Sequence, residues 1–372
     1  MVTAGCRGCG SGTPVQVVDL GRQPASDSFP PEREEGPDAA WPLGLWSCPA
    51  CGLVQLGPGA PVLPQPPLAV ESRTSREHAA AVVRTLLDDR PELRTGSYAE
   101  FASHHGGRWS SGLEAGGLHE ADPGRPADLV VDVHGLAHEP DLGAALDRRA
   151  WRLARHGLLV LEAHHLLPLV TRTQFDTVRH GHFSYLSLAA LSALAAARGL
   201  AVLDAVAAPV FGGSLLVTLG GPDRAEAPAP GVAAVLEQER AAGLHRPEVL
   251  TSLEGRARVA AADLHERLVD LRRSGRTVLG YGAPSKAAVL LGAAGITTEL
   301  LPFTVDASAA KHGLRVPGSG VPVRPVEDLR AARPDVVLLL TWDIADEVVA
   351  DLERDGGWGA TYLVPAGEDV TA

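Results

Sequence analysis

The sequence predicts an α/β protein in three parts: a small cysteine-rich module followed by two α/β units with largely parallel sheets. Three observations carry that expectation. Strand-like apolar runs alternate with alanine- and leucine-rich helical stretches, the pattern of a parallel sheet covered on both faces. The only cysteines, Cys6, Cys9, Cys48 and Cys51, fall as two Cys-x-x-Cys pairs near the start. A length of 372 residues is enough for two or three separate cores.

Composition narrows the function classes. A net charge of −12 with no basic cluster argues against a nucleic-acid partner. No apolar run is long enough to span a bilayer, so no membrane partner is expected. The first residues lack the charged and apolar regions of a signal peptide, and the expected location is cytoplasmic.

The cysteine pairs match a tetrahedral zinc site of four thiolates, closing a module (residues 1–70) too poor in core to fold alone. With all four positions filled by protein, such a zinc is structural. A proline-rich connection over 57–72 leads to a helix from Ser75 to Asp89, with apolar residues at Ala79, Val82, Val83, Leu86 and Leu87. The central unit, 71–220, continues with a short strand at Tyr98 running into a glycine-containing turn. Next come a strand at Asp128–Val133, a helix over Leu142–Arg155, a strand at Gly157–Glu162 and a helix over Leu188–Leu200. Between the last two lies Arg179-His180-Gly181-His182-Phe183-Ser184-Tyr185. Imidazoles at His180 and His182, with His164 and His165 closing the preceding strand, put four rings near one sheet edge. Ligand crevices open at such edges, and imidazole exchanges its proton near neutral pH. The expectation is a proton-transfer site.

Linker helices are expected over 221–274, chiefly an amphipathic helix from Ala257 to Ser274. The last unit, 275–372, opens with a strand at Thr277–Gly280, the turn Tyr281-Gly282-Ala283-Pro284-Ser285-Lys286 and a helix to Ala294. Further strands are expected at Phe303–Asp306, Asp335–Leu340 and Thr361–Val364. A turn between strand and helix suits a phosphate, and Lys286 adds a point charge. Asp306 stands where a ribose-binding acid stands, yet the full G-x-G-x-x-G is absent, so nicotinamide is poorly supported.

Taken together, these segments resemble the three-domain sugar C-methyltransferases that act on nucleotide-linked keto-deoxysugars. The resemblance runs nearly end to end. It rests on the cysteine pairs with Asp19-Leu20-Gly21 and Cys51-Gly52-Leu53-Val54-Gln55, on Gln174 through Ser187, and on Gly212-Gly213-Ser214. It ends with Gly280 through Lys286, Lys311-His312-Gly313, Pro317-Gly318-Ser319 and Trp342. The resemblance implies a zinc-binding module, a methyltransferase-like Rossmann domain (shortened here) and a C-terminal Rossmann-like domain that helps hold a nucleotide-sugar. It places Tyr281, Pro284, Ser285, Lys286, Lys311 and Trp342 at the substrate. It implies a histidine base that removes a proton beside a ketone, at the position of His182, with His180, Tyr185 and Arg179 beside it.

The sequence departs from the family in several places. A Tyr-His-Glu-His-x-x-Tyr box has become Arg179-His180-Gly181-His182-Phe183-Ser184-Tyr185. The loop that holds S-adenosylmethionine has become Glu100-Phe101-Ala102-Ser103-His104-His105-Gly106, leaving Glu100, Ser103 and Gly106 as its candidate contacts. About twenty residues bridge this loop and the strand at Asp128, where the family has a strand–helix–strand with a ribose-holding acid. The favoured expectation is therefore enolisation of a dTDP-linked keto-deoxysugar without methyl transfer from S-adenosylmethionine, ending in isomerisation, epimerisation or ring rearrangement. The alternatives are a working S-adenosylmethionine-dependent C-methyltransferase, and a silent partner that binds a nucleotide-sugar. The resemblance does not determine the oligomeric state.

Overall fold

In the computed structural model the described residues are 5–10, 12, 14–59, 61–62, 70–101, 108–224, 226–354, 356–365 and 370–371. Three sheets organise them. The N-terminal module is an antiparallel sheet of β1 (Val15–Pro24), β2 (Ala40–Ser47) and β3 (Val54–Leu56). Its fourth strand comes from far along the chain and is introduced below.

Helix α1 (Arg73–Asp89) follows, with Ser72 accepting a hydrogen bond from Ser75 N at 3.0 Å at its start. It buries Ala79, Val83 and Leu87, one face at four-residue spacing. The central sheet then forms from β4 (Ser97–Phe101), α2 (Ser110–Ala115), β5 (His119–Glu120), β6 (Ala127–Val133), α3 (Leu142–Arg152) and β7 (Leu153–His164). It ends, after α4 (Leu166–Thr171), β8 (Ser184–Tyr185) and α5 (Leu188–Ala196), with β9 (Ala201–Ala208) and β10 (Ser214–Gly220). The order is β5-β4-β6-β7-β10-β9, while β8 leaves to pair with β3 as the edge of the N-terminal sheet. That pairing carries the histidine loop onto the cysteine module. The expected strand at 157–162 is longer than its apolar core because antiparallel pairing with β10 runs the whole way from Leu158 to His164.

Two helices, α6 (Pro230–Ala241) and α7 (Pro247–Arg273), lead to the last unit. The expected helix at 257–274 begins ten residues earlier, at Pro247 on its first turn, where the missing N–H costs nothing. The C-terminal sheet is built from β11 (Val278–Tyr281), α8 (Ser285–Ala293), β12 (Thr304–Val305), β13 (Val323–Arg324), α9 (Val326–Ala332), β14 (Val336–Leu339), α10 (Ala345–Glu353), β15 (Thr361–Leu363) and β16 (Val370–Thr371). Its order is β13-β12-β11-β14-β15-β16, parallel except for β16. Both this sheet and the central one turn their carboxyl ends toward a shared cavity. Among the described residues no helix is long and apolar enough to cross a membrane.

Candidate functional site

The cysteines meet first. Their four Sγ atoms lie within 4.8 Å of one another, with Cys6 to Cys51 at 3.6 Å and Cys9 to Cys48 at 3.8 Å. A tetrahedron of thiolates about 2.3 Å from zinc has edges of about 3.8 Å, so the donor set and spacing fit that ion. Arg7, between the first pair, is buried. It donates to Pro140 O at 2.7 Å and to Leu56 O at 3.3 Å, locking the module onto the central sheet.

A cavity of about 340 Å³ opens between the three parts. The N-terminal module contributes Asp27, in the turn after β1, which bridges two parts: Arg179 Nη1 donates to Asp27 Oδ2 at 2.7 Å, and Ser285 Oγ donates to Asp27 Oδ1. Arg179 Nη2 also donates to His182 Nε2 at 2.8 Å. A guanidinium only donates, so Nε2 carries the lone pair and the neutral ring holds its proton at Nδ1. Tyr185 is buried, which pushes its phenol above the usual range, and its hydroxyl accepts from Arg179 N at 3.1 Å.

Sequence order misjudges which histidines converge. His164 and His182 line the cavity, but His165 and His180 do not. Neighbours in extended chain point to opposite sides, so His165 turns away and pairs with Glu239 at 2.8 Å. His180 and His182 flank Gly181, whose φ of +93° reverses the chain between them. His180 then sits 3.2 Å from both Pro24 O and Pro42 O, bracing β1 and β2. Burial lowers its pKa, although the two carbonyls pull the other way.

Two unexpected rings, His134 and His138, take their places in the cavity. Asp132, at the end of β6, accepts from Gly135 N at 2.8 Å and Leu136 N at 3.1 Å, and Arg149 Nε donates to it at 2.7 Å. The turn this closes forces His134 to a φ of +58° and swings its ring inward. The signal in the sequence was a polar pair at the end of an apolar strand, Asp132 and His134. The imidazoles form a continuous series, with ring centroids 4.7 Å apart for His134 and His164, 5.3 Å for His164 and His182, and 4.6 Å for His182 and His138. Burial pushes His134 down to about 3, and pushes His164 down to about 4 with help from Arg179 and Lys286. Both rings are therefore neutral at pH 7.

The C-terminal sheet supplies the opposite wall. Lys286 pairs with Asp343 and lies 3.8 Å from the ring centroid of Trp342. Trp342 itself does not line this cavity but a neighbouring pocket, where its Nε1 donates to Asp176 Oδ2 at 2.7 Å and burial raises that carboxyl. The same indole packs so tightly on Gly212 that a Cβ there would come within 2.5 Å of it. Tyr281 and Pro284 line the cavity, and burial pushes the Tyr281 phenol up to about 12. Lys311 also lines it, but its amine donates to Ala283 O at 2.9 Å and lies 3.3 Å from Asp306 Oδ2, holding the turn from below. Asp306 lines the cavity too, and its two oxygens accept from Ala283 N and Ser308 N at 2.7 and 2.8 Å, which fixes the carboxylate against the turn.

Of the candidate contacts for S-adenosylmethionine, Ser103 and Gly106 lie outside the described residues. Glu100 accepts from Trp109 N at 2.7 Å and Ser110 N at 3.1 Å, which fixes the start of α2.

Comparison with known proteins completes the description. Residues 209–366 match a family model described as "C-methyltransferase C-terminal domain", and residues 6–61 match one described as "Putative zinc binding domain". The chain is 30% identical to the C-methyltransferase NovU of Streptomyces niveus, over 98% of this chain and 95% of that protein. Among solved structures, magnesium protoporphyrin IX methyltransferase of Synechocystis with bound SAH matches at a TM-score of 0.31 and 13% identity, covering 40% of this chain and 84% of that one. The 1,6-didemethyltoxoflavin-N1-methyltransferase of Burkholderia thailandensis matches at 0.28 and 14%, covering 41% and 80%.

Proposed function

This chain belongs to the C-methyltransferase family, and from that premise we propose that it enolises a nucleotide-linked keto-deoxysugar with His182 as base. The observation that carries the reading is His182 itself, neutral in a cavity beside a cation. Its Nε2 lone pair is the proton acceptor once the substrate carbonyl draws Arg179 to itself. The guanidinium then stabilises the oxygen of the enolate it helped to form. Lys286 and the amino end of α8 receive the diphosphate, with Ser285 and Tyr281 alongside. The zinc takes no part, because four thiolates leave it no open position.

S-adenosylmethionine would supply a methyl group to the enolate. The family holds its ribose with an acid at the end of the strand after β4. Here that strand is β5, and its last residue, Glu120, pairs opposite Tyr98, three residues short of Phe101 at the carboxyl end of β4. Glu120 is exposed and stands back from the cavity. The shortness of β5, with Glu120 exposed, is the observation that supports an enolate that is reprotonated, giving a rearranged sugar. A second reading, capture of the enolate by a methyl group, is favoured by the near full-length likeness to a C-methyltransferase. The comparisons lend no support to loss of the cofactor.

The test is incubation of a dTDP-4-keto-6-deoxysugar in heavy water, followed by mass spectrometry, with and without S-adenosylmethionine. Deuterium uptake without the cofactor is expected, falling by about 100-fold or more in His182→Ala. Methyl gain on adding S-adenosylmethionine, with no uptake before it, assigns the second reading. Neither product with wild-type protein overturns enolisation.

A further inference from the structure

We propose that His164, His134, Glu162 and His78 form a proton path joining the base in the cavity to solvent. This rests on the reading of His182 as base, and it assigns work to a carboxylate that enolisation alone leaves idle.

Glu162 lies near the end of β7, with its side chain fully buried. Its Oε1 is 2.8 Å from His78 Nε2 on α1 and 3.9 Å from His134 Nε2. Inward from His134 the series continues through His164 to His182, at centroid separations of 4.7 and 5.3 Å. Outward, the His78 side chain keeps 14% of its surface in solvent. One end of the series thus meets the substrate and the other meets water. Separations above hydrogen-bond length are closed by a ring turn or a single bridging water.

Burial of a carboxylate is costly unless it is paired. His78 pairs with one oxygen of Glu162, and the left-handed turn at His134 sets a second imidazole beside that same oxygen. The titration behaviour fits conduction. Burial alone would raise Glu162, but His78 and His134 hold it below its ordinary value, so it is an anion. His134 and His164 are held neutral by burial. A neutral imidazole gains a proton at one nitrogen and loses one from the other without trapping it. The groups facing His164 are Arg179 and Lys286, and both disfavour a stored charge there.

The step balances. The substrate C–H bond breaks and its electron pair stays as the enolate. The proton goes to His182 Nε2, and the Nδ1 proton leaves through His164 and His134 to Glu162, His78 and water. Return of a proton runs the same path backwards.

The experiment follows washout of deuterium into ordinary water from a keto-sugar labelled at the labile carbon. It uses the full chain and its Glu162→Gln and His78→Ala variants, each checked by circular dichroism and thermal melting. Washout is expected to fall by about tenfold or more in both, in kcat with KM unchanged, and imidazole in the buffer is expected to restore it in His78→Ala. If Glu162→Gln does not fold, His78→Ala carries the test. Unchanged washout in a folded variant overturns the path. So does a slowing that imidazole does not reverse and that tracks a lowered melting temperature. Absence of washout from wild-type protein removes the path together with the enolisation reading, whereas washout that depends on His182 but not on His78 or Glu162 removes the path alone.

Discussion

Two sheet edges face one cavity, and they are built to different lengths. In the C-terminal sheet, β11 has β12 and β13 on one side and β14 and β15 on the other, so the crevice at its carboxyl end has two walls. In the central sheet, β4 has β6 on one side and only the two residues of β5 on the other. Nucleotide ligands of open α/β sheets sit outside the carboxyl ends of the strands, where strand order reverses. The complete edge presents Lys286 and Ser285 at a helix start, while the shortened edge concentrates His134, His138 and His164 around His182. On the proposed function, the first is the holding side and the second the proton-handling side.

Acid gives the largest expected separation between the two. His134 and His164 fold neutral, at about 3 and about 4, against about 6.5 unfolded. Between those values the unfolded chain binds more protons, so stability falls as pH is lowered through 6.5. At pH 5 each ring costs about 2 kcal/mol. Glu162, also held below its usual value, acts in the same direction at lower pH. Chemical denaturation at pH 7 and pH 5, read from Trp109 in the central unit and from Trp358 in the C-terminal one, is expected to show a loss at Trp109 first. Equal losses at both would mean that the imidazole cluster is not what acid attacks.

A smaller effect is expected on the holding side. Lys286→Ala is expected to weaken binding of a dTDP-sugar by about tenfold, or 1.4 kcal/mol, with the difference shrinking at high salt. Asp343→Asn is expected to act oppositely, since Lys286 is paired to that carboxylate until a ligand displaces it. Calorimetric titration of both variants decides the matter. Equal affinity for both would place the diphosphate elsewhere.

The readable parts of the molecule were those fixed by local spacing. The cysteine pairs and the strand–turn–helix at Gly280 to Lys286 each declare themselves within a few residues, and the structure assembles both. The strands of the N-terminal sheet leave no local signal, because β3 finds its partner β8 some 130 residues away. Helices α9 and α10 are also absent from the expectation. They are 7 and 9 residues long, with only Leu329 buried in the first and Val348 and Leu352 in the second. At the cavity, the left-handed turn at His134 depends on an Asp132–Arg149 pair that spans 17 residues, and no periodicity reports it. Proximity in sequence groups His165 and His180 with the cavity, whereas strand alternation and the turn at Gly181 decide where rings point.

The smallest expected effect tests that last distinction. His180 and His182 are two residues apart, and by sequence both are candidates for the base. His182 accepts from Arg179 inside the cavity, while His180 rests against the carbonyls of Pro24 and Pro42. A neutral ring donates to only one of those carbonyls, so His180→Phe removes one buried hydrogen bond and leaves a carbonyl short of a partner. The expected cost is about 1–2 kcal/mol of stability, seen in urea denaturation. Deuterium uptake by the keto-sugar should stay within about twofold of wild type, a change in barrier of under about 0.5 kcal/mol. Trp41, whose ring stands edge-on 6.2 Å from His180, gives a fluorescence signal for the local packing. Stability lost with uptake kept assigns His180 to the brace between β1 and β2. A fall in uptake beyond tenfold with stability intact would return it to the chemistry and make the loop, rather than His182 alone, the proton-transfer element.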